Sequence, residues 1–413
     1  MGTKNRERRK AKQRRDERRR HQQGSGQRAW QPPSANPAGQ VRELVIEAAR
    51  LAGDPEDFAA GVEAVVLIGL TAGAAVVDGA VAFWLDYLLD RLWDRGWEPA
   101  DLARIVARKA GAGPAATVLP AALASAGRRP EAAGGGRWVA QLAAIDRPAG
   151  GRPAAWPDTV ADALAGLGLL LTLPALPRLE GPARRPSAGG AKLQQVRALL
   201  AKAESTTFPE EAEALTAKAQ QLMARHAIDQ AMLDEAAGGR QAVVGCRLGI
   251  DDPYAGPKAL LLDRISAANR CRAVWSKALG FSTVFGVDTD LELVELLFTS
   301  LLVQGTEAMV RASRAGQPRV RSFRQSFLVA YATRIGQRLA EATDTVVAEE
   351  AAEHAELFPV LAGRREAVDD AVRDVYGEVS SRGFAASNAA GYYAGRAAAD
   401  LARLSVGEEL TDA

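Results

Sequence analysis

From Val41 onward, apolar residues return every three or four positions through most of this chain, and β-compatible runs occur at only two short places. A three-to-four spacing collects apolar side chains on one face of a helix, whereas a strand needs a period of two. The expected fold class is therefore mainly α with a small β-hairpin (α+β). The helical pattern holds over 41–126, with turns at Gly53-Asp54-Pro55 and Gly96-Trp97-Glu98-Pro99. Within it Trp84, Leu85, Leu88, Leu89, Leu92 and Trp93 form a wide apolar stripe, and 101–109 reads as a short helix after the Pro99 turn. Helical patches return around Trp138 and over 157–171. Further on, 257–269 is helical, and the runs 271–275 and 282–287, joined through Gly280, predict one hairpin. Asp290 caps a following helix, with Glu292 and Glu295 in its first turn where acids suit the macrodipole. Gly316-Gln317-Pro318 breaks that helix, a long one is predicted over 322–357, Pro359 stops it, and two more follow over 364–382 and 387–404.

A different pattern fills 192–235. Leu193, Val196, Leu199, Leu200 and Ala203 share one helical face, and Ala212, Leu215, Ala219, Leu222 and Met223 share another. Thr207 with Glu210 makes a capping box, Pro209 suits a first turn, and Asp229 can cap a short third helix carrying Met232 and Leu233. The expected element is an antiparallel helical hairpin with a lid. Its five Lys/Arg against seven Asp/Glu argue against a DNA-reading face. Lys192-Leu193, Leu199-Leu200-Ala201-Lys202-Ala203, Glu211-Ala212 and Ala219-Gln220-Gln221-Leu222-Met223 resemble the hallmarks of the bacterial and phage domain-of-unknown-function family 2786. A weaker resemblance continues through 269–275 and the arginine-rich helix near Phe327, to about residue 400. That resemblance implies a helical fold and an unassigned activity, so it brings no catalytic residues.

The composition shifts divide the chain into a basic arm and linker (1–40), a helical domain (41–173), a Pro/Gly/Arg linker (174–190), the hairpin (191–237) and an α+β domain (250–405). At 413 residues it is long enough for two or three domains with buried cores. The net charge of +2 conceals an asymmetry: residues 1–40 hold 12 Lys/Arg against 3 Asp/Glu, and the rest hold 40 against 47. Two cysteines, Cys246 and Cys271, make no disulfide framework, and no apolar segment follows the basic start as in an export signal. The most apolar run, 64–77, has 14 residues, short of the roughly 18 that cross a bilayer. A cytoplasmic protein with no membrane partner is expected.

Three places can carry chemistry. Over 311–338 stand seven arginines (311, 314, 319, 321, 324, 334, 338) and no acid. On a helical wheel Phe323, Arg324, Phe327, Tyr331, Arg334 and Arg338 fall within about 100°. Guanidinium groups interleaved with rings can hold phosphates while bases stack. The competing reading buries Phe323 and Phe327 and leaves the arginines solvated or paired, which is the usual state of arginine. The same long helix carries Glu341, Asp344, Glu349, Glu350, Glu353 and Glu356 in its second half, an order that opposes its dipole. A partner outside the helix is needed to account for that, and Arg364, Arg365 and Arg373 are candidates within the chain.

The second place is the arm, whose Arg8, Arg9, Lys10, Arg14, Arg15, Arg18, Arg19 and Arg20 suit salt-sensitive binding to phosphate backbones, or merely a solubility tail. The third is Gly391-Tyr392-Tyr393-Ala394-Gly395-Arg396, where glycines four apart allow close packing on the small-residue face Ser326, Ala330, Thr333 and Gln337, bringing Arg396 near the arginine cluster. His21, His226 and His354 are scattered, no zinc motif and no phosphate-binding glycine loop occur, and no metal or cofactor is expected. Cys271 lies between Arg270 and Arg272, which could lower its pKa, but a buried strand cysteine is the commoner case.

Three functions follow as expectations. The first is a non-enzymatic protein binding nucleic acid or another polyanion through the arm and the Arg/aromatic helix. The second is a helical scaffold for other proteins. The third is an unrecognised hydrolase acting on nucleic acid, with Arg324, Arg334 and Asp290 near a pocket.

Overall fold

The computed structural model describes residues 37–133, 136–145, 155–179, 222, 225, 228, 242–314, 321–353, 357–380 and 383–402. They form a mainly helical protein with one small three-stranded antiparallel sheet. Two compact units divide the chain between Trp84 and Leu85. Helices α1 (Pro37–Arg50) and α2 (Pro55–Ala72) and the first half of α3 (Ala74–Asp94) belong to the first. The Gly53-Asp54-Pro55 turn works as its residues dictate: the Asp54 carboxylate accepts from the Glu56 and Asp57 amides, and Pro55 opens α2. The Arg42 guanidinium lies 3.9 Å over the Phe83 ring, and the Trp84 indole donates to the Arg42 carbonyl. On α2 only Val65 and Gly69 are buried, and Leu67 and Leu70 stay 60% and 72% exposed.

In the second unit, α4 (Pro99–Lys109), α5 (Ala112–Gly127), α6 (Pro130–Ala133), α7 (Arg137–Ala144) and α8 (Trp156–Thr172) precede β1 (Val244–Gly249). Then come α9 (Ala255–Ala268), β2 (Arg272–Ser276), β3 (Phe281–Gly286), α10 (Asp288–Arg314), α11 (Arg321–Glu353), α12 (Leu357–Tyr376) and α13 (Ala389–Asp400). The hairpin predicted through Gly280 is β2–β3, and Gly280 adopts a φ of +74° that favours glycine. The sheet order is β1-β3-β2, so the predicted hairpin is one strand short: β1 pairs antiparallel along β3, with Cys246 opposite Val284. Val244, Cys246, Leu248 and Ile250 alternate into a core shared with Leu262 and Ile265 of α9, Leu297 of α10, and Phe327 and Ile335 of α11.

The other face of β1 carries Arg247 between two glycines. Its side chain is 0% exposed and meets the Asp101 carboxylate of α4 at 2.8 Å, while the Gly96 and Pro177 carbonyls accept from the same guanidinium. The Arg104 guanidinium lies directly over Gly249, where a methyl would displace it. Arg104–Asp251, Arg108–Asp252 and Arg137–Glu98 extend the same seam. Residues 174–179 take part in it: the Leu176 amide donates to the Arg95 carbonyl at 2.8 Å.

Two helix ends differ from their predicted positions. Pro359 does not stop a helix; it sits in the first turn of α12, where no helical acceptor is lost. Gly377, at φ +68°, ends α12 instead, its amide closing on the Arg373 carbonyl. Segment 288–313 of α10 is long and apolar enough to cross a membrane by length and composition. Its Leu291, Leu293, Val294, Leu297, Phe298 and Leu301 nonetheless lie in the core around the sheet.

Candidate functional site

Helices α11 and α13 run in the same direction and pack closely, because a Cβ on Gly391 or Gly395 would come 2.4 or 2.1 Å from the Phe323 and Phe327 carbonyl oxygens. The predicted glycine contact is therefore real. Its partner is the backbone at Phe323 and Phe327, with Ser326 accepting from the Ser387 and Asn388 amides where α13 begins. Thr333 and Gln337 face elsewhere, as described below.

The rings of the Arg/aromatic helix are in the core. Phe323, Phe327 and Tyr331 are 0–1% exposed and form a ladder with centroids 6.4 Å apart. No base can reach them, so the stacking role expected for these three is removed by burial, which also pushes the Tyr331 phenol upward in pKa. Two of the arginines beside them work inside the fold. Arg334 pairs with Asp400 and Glu341, and Arg338 donates to the Ala399 and Ala402 carbonyls at the C-terminal end of α13, where a cation suits the dipole. Arg311 pairs with Glu307 one turn back, and the Arg314 side chain and Arg319 lie outside what is described.

What is left is Arg321, Arg324 and Arg396. None of them has an ion pair among the described residues, and the Arg324 Nε is buried without a hydrogen-bond acceptor. The first described turn of α11 holds two of these guanidinium groups and no acid. The arm residues Arg8, Arg9, Lys10, Arg14, Arg15, Arg18, Arg19 and Arg20 lie outside the described residues.

The acidic half of α11 has a partner within the chain that the sequence reading did not name. Glu349 and Glu350 both pair with Arg225, at 3.0 and 3.2 Å, whereas Arg373 pairs with Asp370 in its own helix. Leu222, Arg225 and Ile228 stand three residues apart in helical conformation. Leu222 packs on the main core, and Ile228 packs on Val346 with Val347 and Leu361 beside it. The rest of the predicted 191–237 hairpin lies outside the described residues.

Asp290 is a structural group: at 2% exposure it is gripped through both oxygens by Arg270, itself held at φ +60°. Cys246 and Cys271 are both free and buried, and burial raises both thiols, Cys246 to about 11. The lowered pKa considered for Cys271 does not occur, because desolvation outweighs the adjacent Arg270. Among the described residues no group of His, Cys, Asp and Glu stands ready to hold a metal ion.

A further cleft among the described residues was not anticipated from the sequence. A cleft of about 970 Å³ lies between α9, α11 and α12. Small side chains (Ala267, Ala268, Gly336 and Ala340) line it together with Thr333 and Gln337, and Arg264, Arg365, Asp344 and Glu366 contribute charge. Val347 and Leu361, which pack against Ile228, also line it. Arg324, Arg334, Arg396 and Asp290 do not. The spacing Thr333, Gly336, Gln337, Ala340 was the legible signal, since it marks a helical face of small residues.

Compared with known proteins, residues 191–230 match the model of the family described as Protein of unknown function (DUF2786). No curated protein matches the chain, and no solved structure does. Of the described residues of the matched segment, Arg225 and Ile228 dock on the acidic half of α11, and Leu222 packs on the main core.

Proposed function

We propose that the protein binds nucleic acid, or a polyanion like it, without catalysing a reaction on it. The contacts are the basic arm, through Arg8, Arg9, Lys10, Arg14, Arg15, Arg18, Arg19 and Arg20, and a patch made by Arg321, Arg324 and Arg396. One observation carries the reading. The first described turn of α11 holds Arg321 and Arg324 at the positive end of the helix dipole, with no acid in that turn and no ion pair among the described residues. Each such cation costs a few tenths of a kcal/mol there, and a bound phosphate reverses the sign of that interaction. The arm adds 12 basic residues against 3 acidic ones. With the rings buried, the contacts are to backbone phosphates and the binding is indifferent to sequence.

The test uses the full chain with labelled single- and double-stranded DNA and RNA at two salt concentrations. Affinity should fall steeply with salt. Arg321→Ser/Arg324→Ser/Arg396→Ser should shrink the slope by about 2–3, near 0.9 per lost phosphate contact on duplex DNA. Undetectable binding at low salt rejects the reading.

A second reading has its own support. The exposed Leu67 and Leu70 on α2 are what a helix offering its face to another protein would show, which favours a scaffold role. A pull-down whose recovery is unchanged by Leu67→Ser/Leu70→Ser rejects it.

A further inference from the structure

We propose that the cleft between α9, α11 and α12 binds a free nucleoside phosphate, its phosphate on Arg264 and Arg365 and its sugar or base edge on Asp344 and Glu366. The size is right: about 970 Å³ lies at the upper end of the range of small-molecule sites, roughly 300–1,000 Å³. The small side chains Ala267, Ala268, Gly336 and Ala340 leave apolar room for a planar ring. Gly336 matters here, because a Cβ on it would press to 2.8 Å on the Arg264 Cβ, so the arginine stem lies directly against α11.

The charges sort into two groups. Asp370 is paired with Arg373, Asp369 with Arg272 and Arg270 with the buried Asp290, so these are neutralised within the fold. Arg264, Arg365, Asp344 and Glu366 have no ion pair among the described residues, although they share the cleft. Two cations and two carboxylates without an ion pair among the described residues suit a ligand that is anionic at one end and a hydrogen-bond donor at the other. A guanidinium takes phosphate oxygens in bidentate fashion, and a carboxylate accepts from ribose hydroxyls or an exocyclic amine. A nucleic-acid strand does not fit this description, since its repeated phosphates would run past Glu366, Asp369 and Asp370. The site is therefore distinct from the patch at Arg321, Arg324 and Arg396, none of which lines the cleft.

Calorimetric titration of the full-length protein with ATP, GTP, CTP, UTP and, separately, pyrophosphate tests this. Saturable one-to-one binding of at least one nucleotide is expected. Arg264→Ala and Arg365→Ala should each weaken it about tenfold, the worth of one charge-assisted hydrogen bond. These side chains are exposed, and an unchanged melting curve will show that the variants fold. Asp344→Asn/Glu366→Gln should weaken nucleotide binding while leaving pyrophosphate unaffected. No saturable binding overturns the proposal, as does pyrophosphate binding equal to that of the best nucleotide. Loss of nucleotide binding in Arg321→Ser/Arg324→Ser/Arg396→Ser also overturns it, because the two sites would then be one. Nucleotide binding that survives while strand binding fails supports the cleft and refutes only the strand reading.

Discussion

Removing either member of the Asp101–Arg247 pair should destabilise the protein, with opposite dependence on pH. Asp101→Ala leaves a guanidinium that is 0% exposed, with the Gly96 and Pro177 carbonyls as its acceptors among the described residues and its Nε without one. Arginine cannot shed its charge, so the cost at neutral pH should be about 3–5 kcal/mol. Arg247→Met leaves a carboxyl group that can neutralise itself. Burial already pushes Asp101 up to about 6, against the opposing pull of Arg247, and without the arginine it rises further. At pH 5 the variant's Asp101 is therefore protonated and the loss is small. Above pH 6 the wild-type carboxylate is ionised and paired, and keeping the variant's proton costs up to about 1.4 kcal/mol per pH unit.

The sign for Asp101 itself follows from its raised folded-state pKa. The stabilisation it adds is complete below about 3.8, its ordinary value, and is lost as pH rises through about 6. The cost of Asp101→Ala therefore grows toward acid, and that of Arg247→Met grows toward alkali. Urea unfolding followed by circular dichroism at about pH 5 and pH 8 measures both trends. Parallel trends, or an Asp101→Ala cost under about 1 kcal/mol, would refute the reasoning.

Gly395→Ala should lower the melting temperature, since the new methyl would fall 2.1 Å from the Phe327 carbonyl and only separation of α11 from α13 can relieve it. Overpacking of about 1–3 kcal/mol should exceed the roughly 1 kcal/mol gained in helix propensity, and a melting temperature at or above wild type counts against the close packing. Cys246 and Cys271 should resist a thiol-specific reagent in the native state and react fully in denaturant, because each thiolate is disfavoured by burial. Rapid modification of either thiol in the folded protein contradicts the core described around β1.

Where a candidate site and the core share one helix, the sequence was hardest to read, and α11 shows why. Phe323, Phe327 and Tyr331 recur at four-residue spacing, which marks a face without saying whether it turns inward. Arginine stems can lie across the edge of a buried stripe with their heads outside, so arginines within the same 100° arc did not exclude burial. The strand β1 was hidden differently. Its inward residues Val244, Cys246, Leu248 and Ile250 alternate, but the intervening Gly245, Arg247 and Gly249 resemble a loop. Their fitness depends on Asp101 and Arg104, nearly 150 residues earlier, and no local pattern contains that information. Local signals were the legible ones: the Asp54 cap with Pro55, the Gly280 turn and the paired glycines of α13 all act within a few residues or through a bare backbone.

The charge order of α11 joins both kinds. Its unfavourable sense relative to the dipole was visible, but its causes were not. Arg338 serves the end of α13, and Glu349 and Glu350 hold Arg225 from the family-matched segment. The helix is thus a beam whose two charged halves dock different parts of the same chain. Any role in binding an outside anion narrows to the cations that this internal docking leaves unused.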